Sequence, residues 1–440
     1  MEKLAKMRLM EVKKHVEPIV AVLHHKAFVR LWIGQVTSQL AMNTMLFLLS
    51  LLLYQKTHSN AAVSGLFLAY GIPSLFFGMA AGVIVDRLDR RLVLIASHFS
   101  RAILTFFLLL MPDTVWFTYV IMFSHALITQ MTVPAEAPLI PKLVGNSTLL
   151  VPAISLFTFT FYSSMAIGVI VAGPLLRVVG EHGAQLIIIL LFCIATLSVY
   201  GLPRSSAKVS VFLRIFEYSP RYIIRRFIGD LISGFRYVSR IPNLMQALAL
   251  LTSTQITLIL LGTLGPGFAD TLLRVDVRDA SIFIVGPAIF GILVGVMWIG
   301  KVGYTFSPNR LIQVGMFGTG SILMLTSLLL AITNVFWFQS IPRGVVISLS
   351  FLLFFLFGVA NSFLDVPANG ILQKESDGDM RGRVYGMLSA LVGGAGLVPI
   401  LVSGVLADFI GVGKVIFLVG LLIFSYSVYR LRYNGFITDH

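Results

Sequence analysis

Long apolar runs separated by short polar or charged stretches follow one another along almost the whole chain. Most of these runs are about 20 residues long, the length that a helix needs to cross a bilayer about 30 Å thick. The pattern therefore predicts an all-α membrane protein with twelve transmembrane helices. They are expected at residues 29–53, 62–85, 92–111, 115–135, 150–176, 184–202, 243–265, 280–300, 311–332, 344–366, 384–407 and 414–431.

The predicted spans form two sets of six, because one long arginine-rich gap, 203–242, divides the chain. Two segments recur across this gap. VAGPLLRVVG at 171–180 resembles VSGVLADFIG at 402–411, and VPAEAPLI at 133–140 resembles VPANGILQ at 366–373. The offsets of 231 and 233 residues are nearly equal, which indicates a duplicated six-helix unit. Such repeats are typical of secondary transporters, whose binding site lies between the halves near the membrane midplane.

The repeat and the polar gaps predict five regions along the chain. The N-terminal region is basic and amphipathic and lacks the continuous apolar core of a signal peptide, so it is expected on the cytoplasmic membrane surface. The regions are this N-terminal segment at 1–28, a six-helix bundle at 29–202, a central cytoplasmic loop at 203–242, a second six-helix bundle at 243–432 and a cytoplasmic tail at 433–440.

The charge distribution predicts the orientation of the chain in the membrane. The net charge is +14, although only 12% of the residues are charged and 57% are hydrophobic. With the N-terminus inside, 26 of the 33 Lys and Arg residues fall in or beside the segments on the cytoplasmic side. This asymmetry follows the positive-inside rule and places both termini in the cytoplasm. It accounts for the positive charge without a nucleic-acid partner.

The sequence contains no pattern that indicates an enzyme, a metal site or a cofactor. Its one cysteine, Cys193, lies inside an apolar run and cannot form a disulfide framework or a zinc site alone. GMFGTG at 315–320 has no strand before it and is better explained by helix packing than by phosphate binding. A membrane enzyme, a signalling protein and an ATP-driven pump are therefore disfavoured.

A dense charge cluster follows the second span, in the sequence GVIVDRLDRR at 82–91. A simple cytoplasmic anchor would need only Lys and Arg. An aspartate that meets the N-terminal end of another helix would instead act as a latch. The cluster resembles the loop 2–3 motif of the major facilitator superfamily, Gly-x-x-x-Asp-Arg-x-Gly-Arg-Arg. The matching residues are Gly82, Asp86, Arg87, Arg90 and Arg91, with Asp89 in place of glycine.

The aspartate form of this motif resembles the branch that contains macrolide-efflux and enterobactin-exporter-like proteins. LWIGQVTSQL at 31–40 and DMRGRVYGM at 379–387 resemble the same branch. The resemblance implies a bacterial cytoplasmic membrane and a gate in which Asp86 meets the helix that starts near Arg383. It also implies that Gly173 and Pro174 correspond to the Gly-Pro pair of antiporter helix 5, although Leu175 and Leu176 replace the glycines expected next.

Polar residues within the spans are candidates for a substrate cavity, since such residues usually face the interior of a helix bundle. Several share one helical face through spacings of three or four residues. Interhelical hydrogen bonding is the alternative explanation, and for Arg101, a structural role beside the latch is favoured over ligand binding. The cavity candidates are Gln35, Gln39, Asn43, Arg101, Thr129, Gln255, Phe354 and Asn361.

Three residues are candidates for proton coupling. Glu136 and Asp365 are acidic residues near the bundle, and His125 is an alternative group that could titrate. The predicted function is proton-coupled efflux of small amphipathic compounds, such as drugs, macrolides or siderophores. A lipid or lysophospholipid flippase and a facilitator without proton coupling are the alternatives. The expected partners are the substrate, membrane lipids and protons, and the chain is expected to act as a monomer.

Overall fold

The computed structural model describes residues 20–85, 88–110, 114–145, 147–203, 229, 235–333, 342–376, 384, 387–388 and 390–433. Within these ranges the elements are helical, which confirms the all-α membrane fold class. The principal helices are α1 (Lys26–Thr57), α2 (Asn60–Val85), α3 (Arg90–Leu110), α4 (Val115–Glu136), α5 (Leu139–Val144), α6 (Ser147–Tyr200), α7 (Pro242–Phe268), α8 (Gly286–Val302), α9 (Pro308–Thr333), α10 (Arg343–Glu375), α11 (Leu397–Ile410) and α12 (Val412–Tyr433).

Ten helical stretches of the described residues are long and apolar enough to cross a membrane. One of them, Leu149–Tyr200, has 52 residues and is too long for a single crossing. It breaks at Gly180, which has φ 71° and ψ −177°, a conformation that favours glycine. The predicted spans 150–176 and 184–202 are thus joined by one turn. Helix α4 also has a spanning length but is more polar, so the count of twelve stays a prediction.

The contacts divide the chain into two compact units. Unit 1 comprises residues 1–46, 76–168 and 179–220. Unit 2 comprises residues 47–75, 169–178 and 221–440. Unit 2 therefore contains the second set of helices together with the parts of α1, α2 and α6 that are predicted to lie on the outer side. The five regions expected from the sequence stay a prediction.

Helix α3 in unit 1 shows how the surrounding lipid inverts the usual pattern of a soluble helix. Its buried face carries polar residues at spacings of three and four, among them His98, Arg101 and Thr105. Its opposite face exposes Phe99 and Phe106. Apolar side chains are stable against lipid, whereas polar groups must find partners inside the protein. These polar and charged side chains of α3 consequently lie in the interior of unit 1.

Unit 2 is held together by close helix contacts around α10, which packs against α7, α8 and α9. Where α8 meets α10, a side chain at Gly291 or Gly358 would overlap the carbonyl of Phe355 or Ala288 respectively. Small residues allow helices to approach closely in a membrane, where no hydrophobic force drives them together. An apolar cluster joins α7, α9 and α10 through Leu248, Met316, Leu364 and neighbouring residues.

Candidate functional site: a buried charge cluster and an outer helix contact

Arg101 is the centre of a polar cluster in unit 1, and only 2% of it is exposed. Its guanidinium donates hydrogen bonds to Ser38 Oγ of α1 at 2.8 Å and to Thr129 Oγ1 and Thr132 Oγ1 of α4 at 2.9 and 3.1 Å. The planar group also lies 5.9 Å from the centre of the Phe192 ring. Arg101 thus connects α3 with α1 and α4 through charge-assisted hydrogen bonds, which are stronger than neutral ones.

Two buried histidines lie close enough to Arg101 to interact with its charge. His125 on α4 has its Nε2 atom 3.4 Å from Thr105 Oγ1, and its ring packs against Phe192. Within the described part of the chain, His125 Nδ1 and both ring nitrogens of His98 have no hydrogen-bond partner. The interior of unit 1 therefore holds a fixed cation and two imidazoles.

Glu136 is the last residue of α4 and is 6% exposed. Arg101 acts on it electrostatically. Pro134 lies just before it within the helix, and Gly145 ends the short helix α5 that follows. Burial of this carboxyl group beside the Arg101 cluster agrees with its position on the polar face of α4. Its role in proton coupling stays a prediction.

The predicted cavity residues of α1 make local contacts in unit 1. Gln35 is 1% exposed; its Nε2 donates to the Phe157 carbonyl at 3.1 Å, and its Oε1 accepts from Thr160 Oγ1 at 3.2 Å. Asn43 is half-buried and donates to the Gln39 carbonyl at 2.8 Å. Gln35 therefore connects α1 with α6, which is the interhelical role weighed as the alternative to cavity lining.

The predicted gate is only partly described by the structure. Asp86, Arg87 and Arg383 lie outside the described residues, whereas Gly82 lies in α2. Arg90 and Arg91 begin α3 and are half-buried. Arg91 donates to the carbonyl of Tyr200, the last residue of α6, and its guanidinium lies 5.2 Å from the centre of the Tyr200 ring. Cations are favoured at such helix C-termini.

The candidates of the second set of helices lie in different environments of unit 2. Asp365 is half-buried; its carboxylate accepts from Asn369 Nδ2 at 3.2 Å and lies 3.5 Å from Thr254 Oγ1. Phe354 is buried and packs edge-on against Phe268, with ring centres 5.2 Å apart. Asn361 is buried beside a cavity among α7, α9, α10 and α12, and Gln255 is half-buried. Their roles in substrate binding stay predictions.

Asp408 forms a contact in unit 2 that was not predicted from the sequence. It lies near the end of α11, and its carboxylate accepts hydrogen bonds from the beginning of α2. The donors are Ser59 Oγ at 2.6 Å, Asn60 N at 2.7 Å, Asn60 Nδ2 at 3.0 Å and Ala61 N at 3.1 Å. A carboxylate at a helix N-terminus satisfies backbone donors and complements the helix dipole. This contact ties α11 to α2 at their predicted outer ends.

A second contact of the same kind ties α6 to the segment before α8. Arg177 Nη2 lies 2.6 Å from Asp279 Oδ1. One turn earlier on α6, a side chain at Gly173 would overlap the Arg278 carbonyl and Ser281 Oγ. Gly173, which resembles the glycine of the antiporter Gly-Pro pair, therefore allows this helix to approach its neighbour closely.

The two outer contacts are equivalent in the internal repeat. At the offset of 231 residues, Arg177 corresponds to Asp408 and Gly173 corresponds to Gly404. A side chain at Gly404 would overlap Ser64 Oγ, just as one at Gly173 would overlap Ser281 Oγ. Each half of the repeat thus supplies a glycine for close approach and a charged residue four positions, about one helical turn, further along. The repeat in the sequence was the signal that could have identified Asp408.

Comparisons with known proteins show that the chain is similar to membrane transporters. The family model described as Major Facilitator Superfamily matches residues 31–399. YfiS of Bacillus subtilis strain 168, an uncharacterized MFS-type transporter, is 23% identical over 390 residues, which is 88% of each chain. Macrolide efflux protein A of Streptococcus pyogenes is 23% identical over 419 residues, covering 91% of this chain and 94% of its own.

The fold is also similar to that of solved transporters. The nucleoside transporter NupG matches with a TM-score of 0.65 at 15% identity, covering 92% of this chain and 99% of its own. Together with the apolar helices, the matches indicate an integral membrane protein of the transporter type rather than an enzyme.

Proposed function

The chain belongs to the Major Facilitator Superfamily, and from that premise we propose that it is a proton-coupled exporter of small amphipathic compounds. It works by alternating access, in which a central site opens to one side of the membrane at a time. The name of a relative, Macrolide efflux protein A, supports efflux and suggests drugs or macrolides as substrates. The chain resides in a bacterial cytoplasmic membrane with both termini inside.

The observation that carries proton coupling is the burial of Glu136 beside Arg101 in unit 1. A carboxyl group that alternates between dry and wet surroundings can take up and release a proton. When Glu136 is ionised, it attracts Arg101. When it is protonated, this attraction is lost, and Arg101 keeps its hydrogen bonds to the hydroxyl groups of Ser38, Thr129 and Thr132. A change of charge at Glu136 therefore alters the balance of forces among α1, α3 and α4.

The two outer contacts supply the other part of the mechanism. Asp408 and Arg177 fasten α11 to α2 and α6 to the start of the α8 segment. In this proposal both contacts are made while the outer side is closed and are broken while it is open. The latch that contains Asp86 lies at the cytoplasmic side; it is made while the outer contacts are broken and is broken while they are made. Asp365 and His125 remain the further candidates for carrying the proton.

The test uses the full-length protein in proteoliposomes under an imposed inward-directed proton gradient. Internal pH is followed while a macrolide, a cationic dye, a catechol siderophore or a lysolipid is added. Glu136→Gln and Asp365→Asn are compared with Glu375→Gln, a matched control because Glu375 ends α10 as Glu136 ends α4. We expect substrate-dependent proton movement in the wild type and the control, and about tenfold less in Glu136→Gln.

Two results would contradict the proposal. Substrate flux without proton movement, equal in the wild type and Glu136→Gln, would favour a facilitator. Movement of the lysolipid alone, again without protons, would favour the lipid transporter. Loss of proton movement in Asp365→Asn but not in Glu136→Gln would keep antiport and assign the proton to unit 2.

A further inference from the structure

A cavity of about 320 Å³ lies within unit 2 among α7, α9, α10 and α12. Its walls are largely apolar and include Leu250, Met316, Leu364, Leu422 and Ile423. Its volume is at the lower end of the range for small-molecule pockets, about 300–1,000 Å³. The cavity can therefore hold a small molecule or a lipid head group, but not a whole lipid with two chains.

Three buried hydrogen-bond donors line this cavity. They belong to Arg430, Asn361 and Thr319, which are 8%, 2% and 1% exposed. Within the described part of the chain, Arg430 Nη1, Asn361 Nδ2 and Thr319 Oγ1 have no hydrogen-bond partner. Arg430 is held in place because its Nη2 atom donates to Asn309 Oδ1 at 3.2 Å. Buried donors are rarely left without an acceptor, so three around one space indicate a ligand that accepts hydrogen bonds.

The charges of the residues that line the cavity indicate which kind of ligand it binds. Among the residues that line it, Arg430 carries a positive charge and no residue is acidic. Asp365 is not one of the lining residues; its carboxylate lies 3.5 Å from Thr254 Oγ1 and accepts a hydrogen bond from Asn369 Nδ2. A buried guanidinium is stable only with a partner that compensates its charge, and phosphate and carboxylate groups match its planar fork.

We propose that this cavity binds a phosphate or carboxylate group, which accepts hydrogen bonds from Arg430, Asn361 and Thr319. The apolar walls cover the hydrocarbon attached to that group. Arg430 lies in the last turn of α12, at the end predicted to be cytoplasmic, where anionic lipids are abundant. Two wall residues, Leu422 and Tyr426, are 71% and 51% exposed on the outside of α12, so a lipid in the membrane can reach this part of the helix. The site is independent of the proton step proposed above.

The test measures lipid and anion binding to the purified full-length protein in a neutral detergent. Native mass spectrometry follows the binding of phosphatidylglycerol and, separately, of phosphatidylcholine. Arg430→Gln is compared with Arg432→Gln, a matched control because Arg432 is an exposed cation two residues further along α12. We expect the wild type to prefer phosphatidylglycerol, Arg430→Gln to lose about tenfold in apparent affinity and Arg432→Gln to stay within about twofold of the wild type.

A second arm distinguishes a lipid from a soluble anion. Inorganic phosphate is added at increasing concentration to the wild type and to Arg430→Gln, and bound phosphatidylglycerol is measured. If phosphate displaces phosphatidylglycerol from the wild type but not from Arg430→Gln, and also raises the thermal stability of the wild type, the site binds a soluble anion. If phosphate displaces no phosphatidylglycerol, the site binds the lipid.

A further variant guards against misfolding of Arg430→Gln. The double variant Thr319→Val with Asn361→Leu removes two donors and keeps the contact between Arg430 and Asn309, and it should also weaken binding. Equal losses in Arg430→Gln and Arg432→Gln would show attraction by surface charge only and would overturn the site. Equal binding of the two lipids, with no response to phosphate, would overturn it as well.

Discussion

The polar cluster of unit 1 depends on a few single residues. Among them, Arg101 shows most clearly what could be predicted from the sequence. Its depth in an apolar span marked it as unusual, and the face of α4 that holds His125, Thr129 and Glu136 was evident from residue spacing. The hydrogen bond to Ser38 was not evident, because the packing of α3 against α1 is not encoded in the spacing of either helix. Local periodicity identifies a polar face but not its partner.

Replacement of Arg101 by lysine should impair both stability and transport. Lysine keeps the positive charge but loses the planar fork that reaches Ser38, Thr129 and Thr132 together. We expect a loss of about 1.5–3 kcal/mol, the usual value for a hydrogen bond to a charged group. Thermal unfolding in detergent and substrate flux in proteoliposomes measure the two effects. Wild-type values for both in Arg101→Lys would contradict the bridging role of the guanidinium.

Asp86 should be required for transport but not for insertion into the membrane. In the proposed latch its carboxylate meets the beginning of another helix, whereas a simple anchor needs only the basic residues nearby. Asp86→Asn should therefore reduce flux about tenfold at unchanged expression. Asp89→Asn is the control, since Asp89 accepts from the backbone N–H of Arg91 in the first turn of α3, which directly follows it. Unchanged transport in Asp86→Asn would remove the latch from the mechanism.

Whole helices meet in unit 2 through glycines and terminal charges as well as through apolar side chains. The sequence predicted the helices well, because each apolar run has the length of a membrane crossing. It did not predict the single turn at Gly180, since nothing in the apolar pattern distinguishes a short loop from a one-residue break. The contact of α11 with α2 was likewise hidden, because its residues are more than 340 positions apart along the chain.

A methyl group at Gly404 should separate α11 from α2. The ideal position of the new carbon overlaps Ser64 Oγ and approaches the Asn60 carbonyl, and a backbone atom cannot move aside cheaply. We expect Gly404→Ala to cost about 1–3 kcal/mol, as for other overpacked contacts. Gly344→Ala is the control, because no atom lies near the added carbon at that position. Equal thermal stability of the two variants would contradict a close helix contact.

For the molecule as a whole, the proposed mechanism predicts that the outer contacts determine how readily the outer side of the pathway opens. Asp408 accepts four hydrogen bonds from the beginning of α2, and two of them come from backbone N–H groups. Neutralising this residue weakens every one of these bonds, because charged acceptors bind more strongly than neutral ones. If the contact is made only while the outer side is closed, neutralising Asp408 shifts the population of molecules towards the state that is open to the outside.

Asp408→Asn should therefore expose residues that the outer contact covers. Ser64, which is fully buried, serves as the reporter after substitution by cysteine in a Cys193→Ser background. A membrane-impermeant maleimide added from outside should label Ser64→Cys about tenfold faster when Asp408→Asn is also present. The control is Asp276→Asn, which neutralises an exposed aspartate beside Arg278. Equal labelling rates in the two backgrounds would separate Asp408 from the control of access.

Arg177 and Asp408 occupy the same position of the repeat but carry opposite charges. In an ancestor built from two identical six-helix chains, the two positions would have been alike and either chain could have taken either place. The present halves have diverged so that one offers a cation and the other an anion, each to its own partner. Two separately expressed polypeptides, 1–202 and 203–440, should accordingly assemble with each other rather than with themselves.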